Sequence, residues 1–253
     1  MTGQMTVWAD GVPKNLGPGD FAMVPALHNH SYQFIAQDTE FLGLVQPAGF
    51  DNFFLNVSVP WTPKYSVPFP PDQPLAFPGQ KFQAAALAYD INQISSNWSA
   101  PTTSDIAWHE GNATLPSNAK TPYFLANGAG PHYWSESTGA VVSPLATPLQ
   151  TAGNFTIAQI SLRKTLHHVN SSWTSTDHQF LYGMGGEVTV RLDGEKVKII
   201  AGDSLFVPAG CNVTISSRVN YSKFLLCVAG SNGLDTQLIR SGKVWGYSTP
   251  PAY

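Results

Sequence analysis

Two histidines one residue apart, His28 and His30, follow a Gly19–Asp20 turn and Pro25 along the chain. Imidazoles spaced in this way can bind one metal ion, or they can hydrogen bond within a β-sheet. Alternate residues of a strand share a face, so the pair would lie on the same side as Tyr32. We therefore expect both rings to enter an apolar interior, where a polar ring needs a hydrogen-bond or metal partner. Spacing alone leaves both interpretations open, because a lone inward histidine more often hydrogen bonds in a core than binds metal.

The segment that carries the two histidines belongs to an internal repeat. Residues 3–30 align without a gap with residues 186–213, and every pair of equivalent residues is 183 positions apart. Glycine, aspartate and proline recur at the turns, and apolar and polar residues alternate between them, which is typical of consecutive antiparallel strands. We therefore predict an all-β protein with two copies of one domain. Short strands at even spacing favour a pair of double-sheet jelly-roll barrels.

The second copy serves as an internal comparison for the two histidines. Its residue at the position of His28 is Cys211, and its residue at the position of His30 is Val213. The strand therefore needs neither imidazole in order to form, which makes both histidines candidates for a function.

The remaining sequence divides into four segments. We predict a partial first domain over residues 1–50, a connector over 51–150, a second domain over 151–235 and a C-terminal tail over 236–253. Proline and aromatic residues concentrate in the connector, for example at 67–74, which indicates ordered loops rather than a flexible linker. Within the connector, residues 79–96 are rich in alanine, leucine and glutamine and predict a short helix.

Composition excludes two classes of partner. Only 11% of residues are charged, the formal net charge is -3, and no cluster of lysine and arginine occurs, so we expect no nucleic-acid partner. The longest apolar runs, such as residues 224–230, have the length of a strand and fall far short of a bilayer span, so we expect no membrane partner. A small-molecule partner is the expectation that remains.

Acceptor sites for asparagine-linked glycans indicate a secreted protein. The sequence Asn-x-Ser/Thr occurs at Asn56, Asn97, Asn112, Asn154, Asn170, Asn212 and Asn220. Residues 1–11 have neither the basic nor the apolar region of a signal peptide. We therefore expect an extracellular protein whose signal peptide was lost together with a longer N-terminus.

The two cysteines, Cys211 and Cys227, lie on either side of Val219. If a strand pair is centred there, the two side chains could meet across a hairpin. A disulfide and a pair of buried thiols are both consistent with this spacing. Motifs of a nucleophile elbow, a phosphate-binding loop or a helical zinc site do not occur, so we predict no catalytic residue beyond a metal ligand.

The spacing Gly19-x5-Pro25-x4-His30 resembles the second motif of cupins, with Leu27 where that family often has glycine. HSYQF at 30–34, the segment at 37–50, the aromatic connector and the degenerate second copy resemble the fungal quercetin 2,3-dioxygenases. Those proteins are secreted, glycosylated bicupins with copper in the N-terminal barrel. The resemblance therefore implies an all-β bicupin.

The resemblance also implies roles for individual residues. His30 would be a metal ligand, Tyr32 and Phe41 would lie against a flavonol, and His28 would donate a hydrogen bond behind the ligands. The metal would be copper or another divalent transition metal. The substrates would be a flavonol such as quercetin and dioxygen, with a depside and carbon monoxide as products, and a homodimer is a further expectation.

The family's other three ligands come from an earlier motif, H-x-H-x(3,4)-E, which does not precede Gly3. Residues 154–185 of the second copy likewise have no counterpart in the first copy. We therefore expect an incomplete first barrel, most metal ligands missing, and a chain that binds no metal and is inactive alone. The second copy has only His178 in the corresponding region, so we expect it to be structural. A non-catalytic secreted bicupin that binds an aromatic ligand is the alternative, and an oxalate-degrading bicupin fits the aromatic residues less well.

Overall fold

The computed structural model describes residues 2–58, 79–89, 91, 114–165 and 172–252. The chain forms two compact units, one of residues 1–41 with 101–253 and one of residues 42–100. The predicted proline-rich stretch at 67–74 and the acceptor residues Asn97, Asn112 and Asn170 lie outside the described residues. None of the helices in the described part is long and apolar enough to cross a membrane.

The unit of residues 42–100 contains two described helices, α1 (Asp51–Val57) and α2 (Gly79–Ala88). Aromatic rings hold them together: Phe53 of α1 is buried, and its ring centroid lies 5.8 Å from that of Phe82 in α2. The predicted helix at 79–96 therefore exists, but it ends at Ala88.

The larger unit consists mainly of antiparallel strands. They are β1 (Met5–Ala9), β2 (Val12–Leu16), β3 (Phe21–Met23), β4 (His30–Phe34), β5 (Tyr123–Leu125), β6 (His132–Ser135), β7 (Ala140–Ala146), β8 (Thr156–Arg163), β9 (Trp173–Thr174), β10 (His178–Gly185), β11 (Glu187–Leu192), β12 (Glu195–Ile200), β13 (Ser204–Val207), β14 (Asn212–Ser217), β15 (Tyr221–Ala229) and β16 (Lys243–Trp245). Two helices, α3 (Pro148–Thr151) and α4 (Leu234–Ser241), join them.

The second copy forms two facing sheets with a core between them. One sheet has the order β12-β11-β14-β9 and the other the order β13-β10-β15-β8-β7-β6-β16. Val190 and Ile215 from the first sheet meet Ile160 and Phe224 from the second, and all four side chains are at most 2% exposed. Burial of such apolar surface is the main force that holds the two sheets together.

The first copy contributes a three-stranded sheet of order β2-β1-β4 and the strand β3, which pairs with β5. Its strand register repeats that of the second copy: Met5 lies opposite Phe34, and Val188 lies opposite Ser217. Phe21 of β3 packs with Leu125 and Leu225 in one apolar cluster, so the first copy rests on the seven-stranded sheet. The repeat inferred from sequence is therefore present as a structural repeat.

The described strands extend beyond the predicted limits of the second domain. β6 and β7 lie within residues 51–150, which the sequence assigned to a connector, yet both belong to the seven-stranded sheet. The predicted tail, residues 236–253, contains most of α4 and all of β16, which pairs with β6. Leu234 and Leu238 of α4 are buried in the core, which explains why this segment is ordered.

Candidate functional site

His30 is the first residue of β4, and its side chain is exposed among the described residues. Its ring Nδ1 lies 3.2 Å from the backbone carbonyl oxygen of His28. A carbonyl oxygen can only accept, so this contact places the proton on Nδ1 and leaves the lone pair on Nε2. A carbonyl partner on one ring nitrogen is the usual way in which a histidine is oriented for metal binding through the other.

His28 faces elsewhere, because Leu27 has a φ of 69° and turns the chain just before β4 begins. The His28 ring contacts the Asp10 carboxylate through Nδ1 at 2.5 Å and the Lys120 carbonyl through Nε2 at 2.7 Å. Both partners only accept, so a protonated ring, which donates from both nitrogens, satisfies both contacts. The hydrogen bond to Asp10 is accordingly the largest cause that raises the pKa of His28 above 6.5.

This geometry corrects two expectations about the histidine pair. The rings of His28 and His30 do not enter one apolar interior, because the strand alternation starts only at His30. The ring of His28 also does not donate a hydrogen bond toward His30. The backbone carbonyl of His28 accepts from the His30 ring instead.

Three aromatic rings gather on and after β4, the strand that begins with His30. We call Tyr32, Phe34 and Phe41 the aromatic trio, because their ring centroids lie 5.6 to 5.8 Å from one another. The three side chains are 46%, 48% and 48% exposed, in that order. Phe34 joins the two residues that the resemblance assigned to a flavonol. The period of two along β4 already places Phe34 on the face of Tyr32.

Comparison with known proteins places these residues in a family. The chain is 30% identical over 253 residues to the quercetin 2,3-dioxygenase of Aspergillus japonicus, covering 94% of this chain and 72% of that protein. The chain belongs to the quercetin 2,3-dioxygenase-like cupins. The quercetin 2,3-dioxygenase of Bacillus subtilis (strain 168) is 41% identical over 61 residues, which cover 24% of this chain and 18% of that protein.

Cupin similarity also appears within the second copy. Residues 169–224 match the EutQ-like cupin domain family. Among solved structures, the EutQ protein of Clostridium difficile has a TM-score of 0.32 and 19% sequence identity, covering 37% of this chain and 70% of that chain. The family match at residues 169–224, the Aspergillus relative and the antiparallel sheets together confirm the all-β cupin fold predicted from the sequence.

The second copy of this cupin has an apolar interior at the position equivalent to His30. Val213 is 1% exposed and belongs to the core between the two sheets. His178, which stands in the region where the family has its first motif, lies at the surface, where it stacks on Phe206 with ring centroids 5.4 Å apart. Its Nδ1 accepts a hydrogen bond from the backbone N–H of Ala209. These contacts make His178 a surface residue rather than part of a site inside the barrel.

A metal site does not assemble from the described residues alone. A protein-bound copper or zinc ion is usually held by three or four side chains. Within the ranges that the structure describes, no group of three or more His, Cys, Asp and Glu residues is placed to hold an ion. His30 therefore supplies one suitable nitrogen, and the described part of the chain does not complete the set.

Cys211 and Cys227 are both free thiols, so of the two arrangements that their spacing left open, the disulfide is wrong. Cys211 precedes β14, which belongs to the four-stranded sheet, while Cys227 lies in β15 of the seven-stranded sheet. The chain near Val219 therefore crosses between two sheets and does not form a hairpin. Burial raises the pKa of Cys227 to about 12, which makes its thiol a poor nucleophile.

Proposed function

We propose that the first copy of this chain binds a flavonol such as quercetin for ring cleavage by dioxygen, with a depside and carbon monoxide as products. The observation that carries the proposal is the identity of 30% over 94% of the chain to a quercetin 2,3-dioxygenase. The aromatic trio supports it, because a flat apolar substrate needs exposed rings against which it can stack. Flavonol and dioxygen are thus the proposed substrates.

The proposed contributions of individual residues follow from their positions. Tyr32 and Phe41 would lie against the flavonol rings and keep water from them. His30 would bind copper or another divalent transition metal through Nε2, and imidazole does not choose among these metals. The remaining ligands would have to come from residues outside those that the structure describes.

A second candidate is a non-catalytic bicupin that binds an aromatic ligand. The half-exposed aromatic trio favours this function as well, because stacking on three rings needs no metal. Both candidates predict flavonol binding at the trio, and only the first predicts turnover.

Flavonol binding can be measured by quenching of tryptophan fluorescence with quercetin. We expect saturable quenching, and we expect Tyr32→Ala to weaken binding by about three- to tenfold, which is the effect of losing one aromatic contact. Phe206→Ala is the matched control, because Phe206 is 58% exposed but lies in the second copy. Absence of saturable quenching in the unchanged chain would contradict both candidates.

Turnover and metal binding separate the two candidates. Oxygen uptake with quercetin after addition of Cu²⁺, together with metal content by elemental analysis, should both fall in His30→Ala and stay unchanged in the control His178→Ala. Copper-dependent oxygen uptake would overturn the expectation that this chain alone is inactive and would reject the binding protein. Flavonol binding without oxygen uptake would leave flavonol binding as the activity of this chain by itself.

We also propose that the protein is secreted and glycosylated. The acceptor residues within the described ranges, Asn56, Asn154, Asn212 and Asn220, are all exposed, as glycan attachment requires. Expression through a eukaryotic secretory pathway should add mass that enzymatic removal of asparagine-linked glycans takes away. An unmodified mass after such expression would contradict this proposal.

A further inference from the structure

An Asn-Gly pair, Asn127–Gly128, forms the exposed tip of the turn between β5 and β6. The backbone N–H of Ala129 donates to the carbonyl of Ala126 at 2.9 Å and closes this turn. A turn closed in this way does not use the N–H of its third residue, which here is Gly128. Gly128 has a φ of 78° and no side chain, so nothing on that residue shields its backbone nitrogen. The nitrogen is therefore accessible to the side-chain amide of Asn127.

The chemistry open to such a pair is deamidation. The backbone nitrogen of Gly128 attacks Cγ of Asn127 and forms a succinimide ring, while the side-chain nitrogen leaves as ammonia with the proton from the backbone nitrogen. Water then opens the ring at one of its carbonyl groups. Opening at Cγ gives aspartate, and opening at the backbone carbonyl gives isoaspartate, in which the main chain runs through the side chain. Water is the sole co-reactant, and both products replace a neutral amide with a carboxylate.

A second Asn-Gly pair, Asn232–Gly233, provides a comparison within the same chain. Gly233 is the buried residue that precedes α4, and a Cβ on it would lie 2.3 Å from Cγ2 of Val228. A packed backbone nitrogen reaches the neighbouring amide only after the structure opens locally. The same dipeptide thus occurs in two environments, and of the two pairs it is Asn127–Gly128 that is exposed at both residues.

The tip of this turn connects the first copy to the rest of the larger unit. The backbone N–H of Asn127 donates to Oδ1 of Asp20 at 2.8 Å. The side-chain amide of Asn127 covers Gly19, where a Cβ would come within 2.5 Å of the Asn127 Cγ. The carbonyl of Gly128 accepts from Nε2 of His132 at 3.0 Å. Gly19 and Asp20 directly precede β3, so residue 127 fixes the start of that strand.

We propose that Asn127–Gly128 is a deamidation site and that its conversion loosens the hold of this turn on the first copy. Aspartate at position 127 places a negative charge on the residue whose N–H binds the Asp20 carboxylate, and like charges at such short range repel each other. Isoaspartate adds an atom to the main chain before Gly128 and so moves the Gly128 carbonyl relative to the His132 ring. Both products act on the same contacts, so the junction weakens as the protein ages.

Peptide mapping by mass spectrometry, after incubation of the full chain at mildly alkaline pH, tests the modification without any flavonol or metal. We expect residue 127 to gain one mass unit and to yield isoaspartate about tenfold or more faster than residue 232, because the buried Gly233 must first open locally. Asn127→Gln should abolish the conversion, since a longer side chain closes its ring less readily, and Asn232→Gln should leave it unchanged. Equal rates at residues 127 and 232, or no conversion at residue 127, would overturn the proposal.

Hydrogen exchange on Asn127→Asp, which supplies one product without incubation, measures the effect on the first copy. The backbone N–H groups of β3 should exchange about threefold or more faster than in the unchanged chain, which is the scale of one surface charge interaction. Asn232→Asp is the matched control, because the N–H of Asn232 also binds an aspartate, Asp177, at 2.9 Å, but within the second copy. This control should leave exchange in β3 unchanged. Unaltered exchange of β3 in Asn127→Asp, or an equal rise in both variants, would overturn the proposed loosening.

Discussion

At the scale of single residues, equivalent positions of the two copies carry side chains of different chemistry. His30 is exposed and presents Nε2, whereas Val213 is buried between two sheets. Asp10 holds the ring of His28, and its counterpart Asp193 lies beside the thiol of Cys211. The aspartate thus belongs to the repeated fold, while the imidazoles belong to the first copy alone. This difference separates residues kept for folding from candidates for function.

Asp235, in the first turn of α4, predicts a specific dependence of stability on pH. The side chain is 2% exposed, and burial raises its pKa above 3.8 although Thr156 and Thr236 oppose the shift. A carboxyl group with a raised pKa in the folded state contributes stability below its unfolded pKa and loses it as pH rises through the folded pKa. Asp235→Asn should therefore be stabilised relative to the unchanged chain more at neutral pH than near pH 3.

Urea unfolding at both pH values measures this difference. Asp51→Asn is a suitable comparison, because Asp51 lies in the first turn of α1 and is exposed. The Asp51→Asn variant shows how much the loss of a carboxylate at the start of a helix changes the free energy of unfolding when no burial is involved. The prediction would be contradicted if the difference in free energy of unfolding between Asp235→Asn and the unchanged chain were the same at both pH values.

The sequence predicted which residues occupy equivalent positions in the two copies, but it did not predict the direction of every side chain. The strand position of His30 followed from alternation and from the spacing to Gly19 and Pro25. The direction of His28 did not, because it depends on the left-handed φ of Leu27, a residue type that rarely adopts it. The same backbone conformation explains why glycine suits this position in the cupins that the chain resembles.

At the scale of elements, both copies use the same turn between their first two strands. Asp10 and Gly11 have φ values of 50° and 79°, and Asp193 and Gly194 have 49° and 93°. Two successive residues with positive φ make the tight hairpin turn whose twist matches that of the strands. Aspartate followed by glycine is the sequence signal of that turn, which is why the hairpins were predictable.

Two glycines of the second copy predict different costs for the same substitution. Gly186 and Gly194 both have positive φ, but a Cβ at Gly186 would lie 2.3 Å from the Tyr221 carbonyl oxygen, whereas one at Gly194 would meet nothing within 4 Å. Gly194→Ala should cost about 1 kcal/mol through backbone strain alone. Gly186→Ala should cost clearly more, and equal midpoints in urea unfolding of the two variants would contradict the clash.

The elements that the sequence missed have a common physical cause. All seven residues of β7 are buried, so the strand shows no alternation of apolar and polar residues. β16 has only three residues, too few for any period to be recognised. Both strands were therefore assigned to a connector or a tail.

At the scale of the whole molecule, family membership and site residues rest on different grounds. The identity to the Aspergillus protein extends over 94% of the chain and settles the family. The metal, the flavonol and the glycans depend on a few side chains, and the experiments proposed for His30, Tyr32 and the acceptor asparagines test them separately.

The contacts around β3 and His28 have a consequence for how this chain can change in length. The chain leaves the larger unit after Phe41, yet β3 pairs with β5, and His28 contacts the Lys120 carbonyl. The residues that precede this segment, in β3 and at His28, are thus fixed to the residues that follow it, at Lys120 and in β5. The entropic cost of bringing the two ends of a connecting segment together grows only with the logarithm of its length, by about 0.6 kcal/mol for each doubling. Insertions among residues 42–100 that leave the packed helices α1 and α2 intact should therefore be tolerated far more readily than single-residue shifts within β3 or β5.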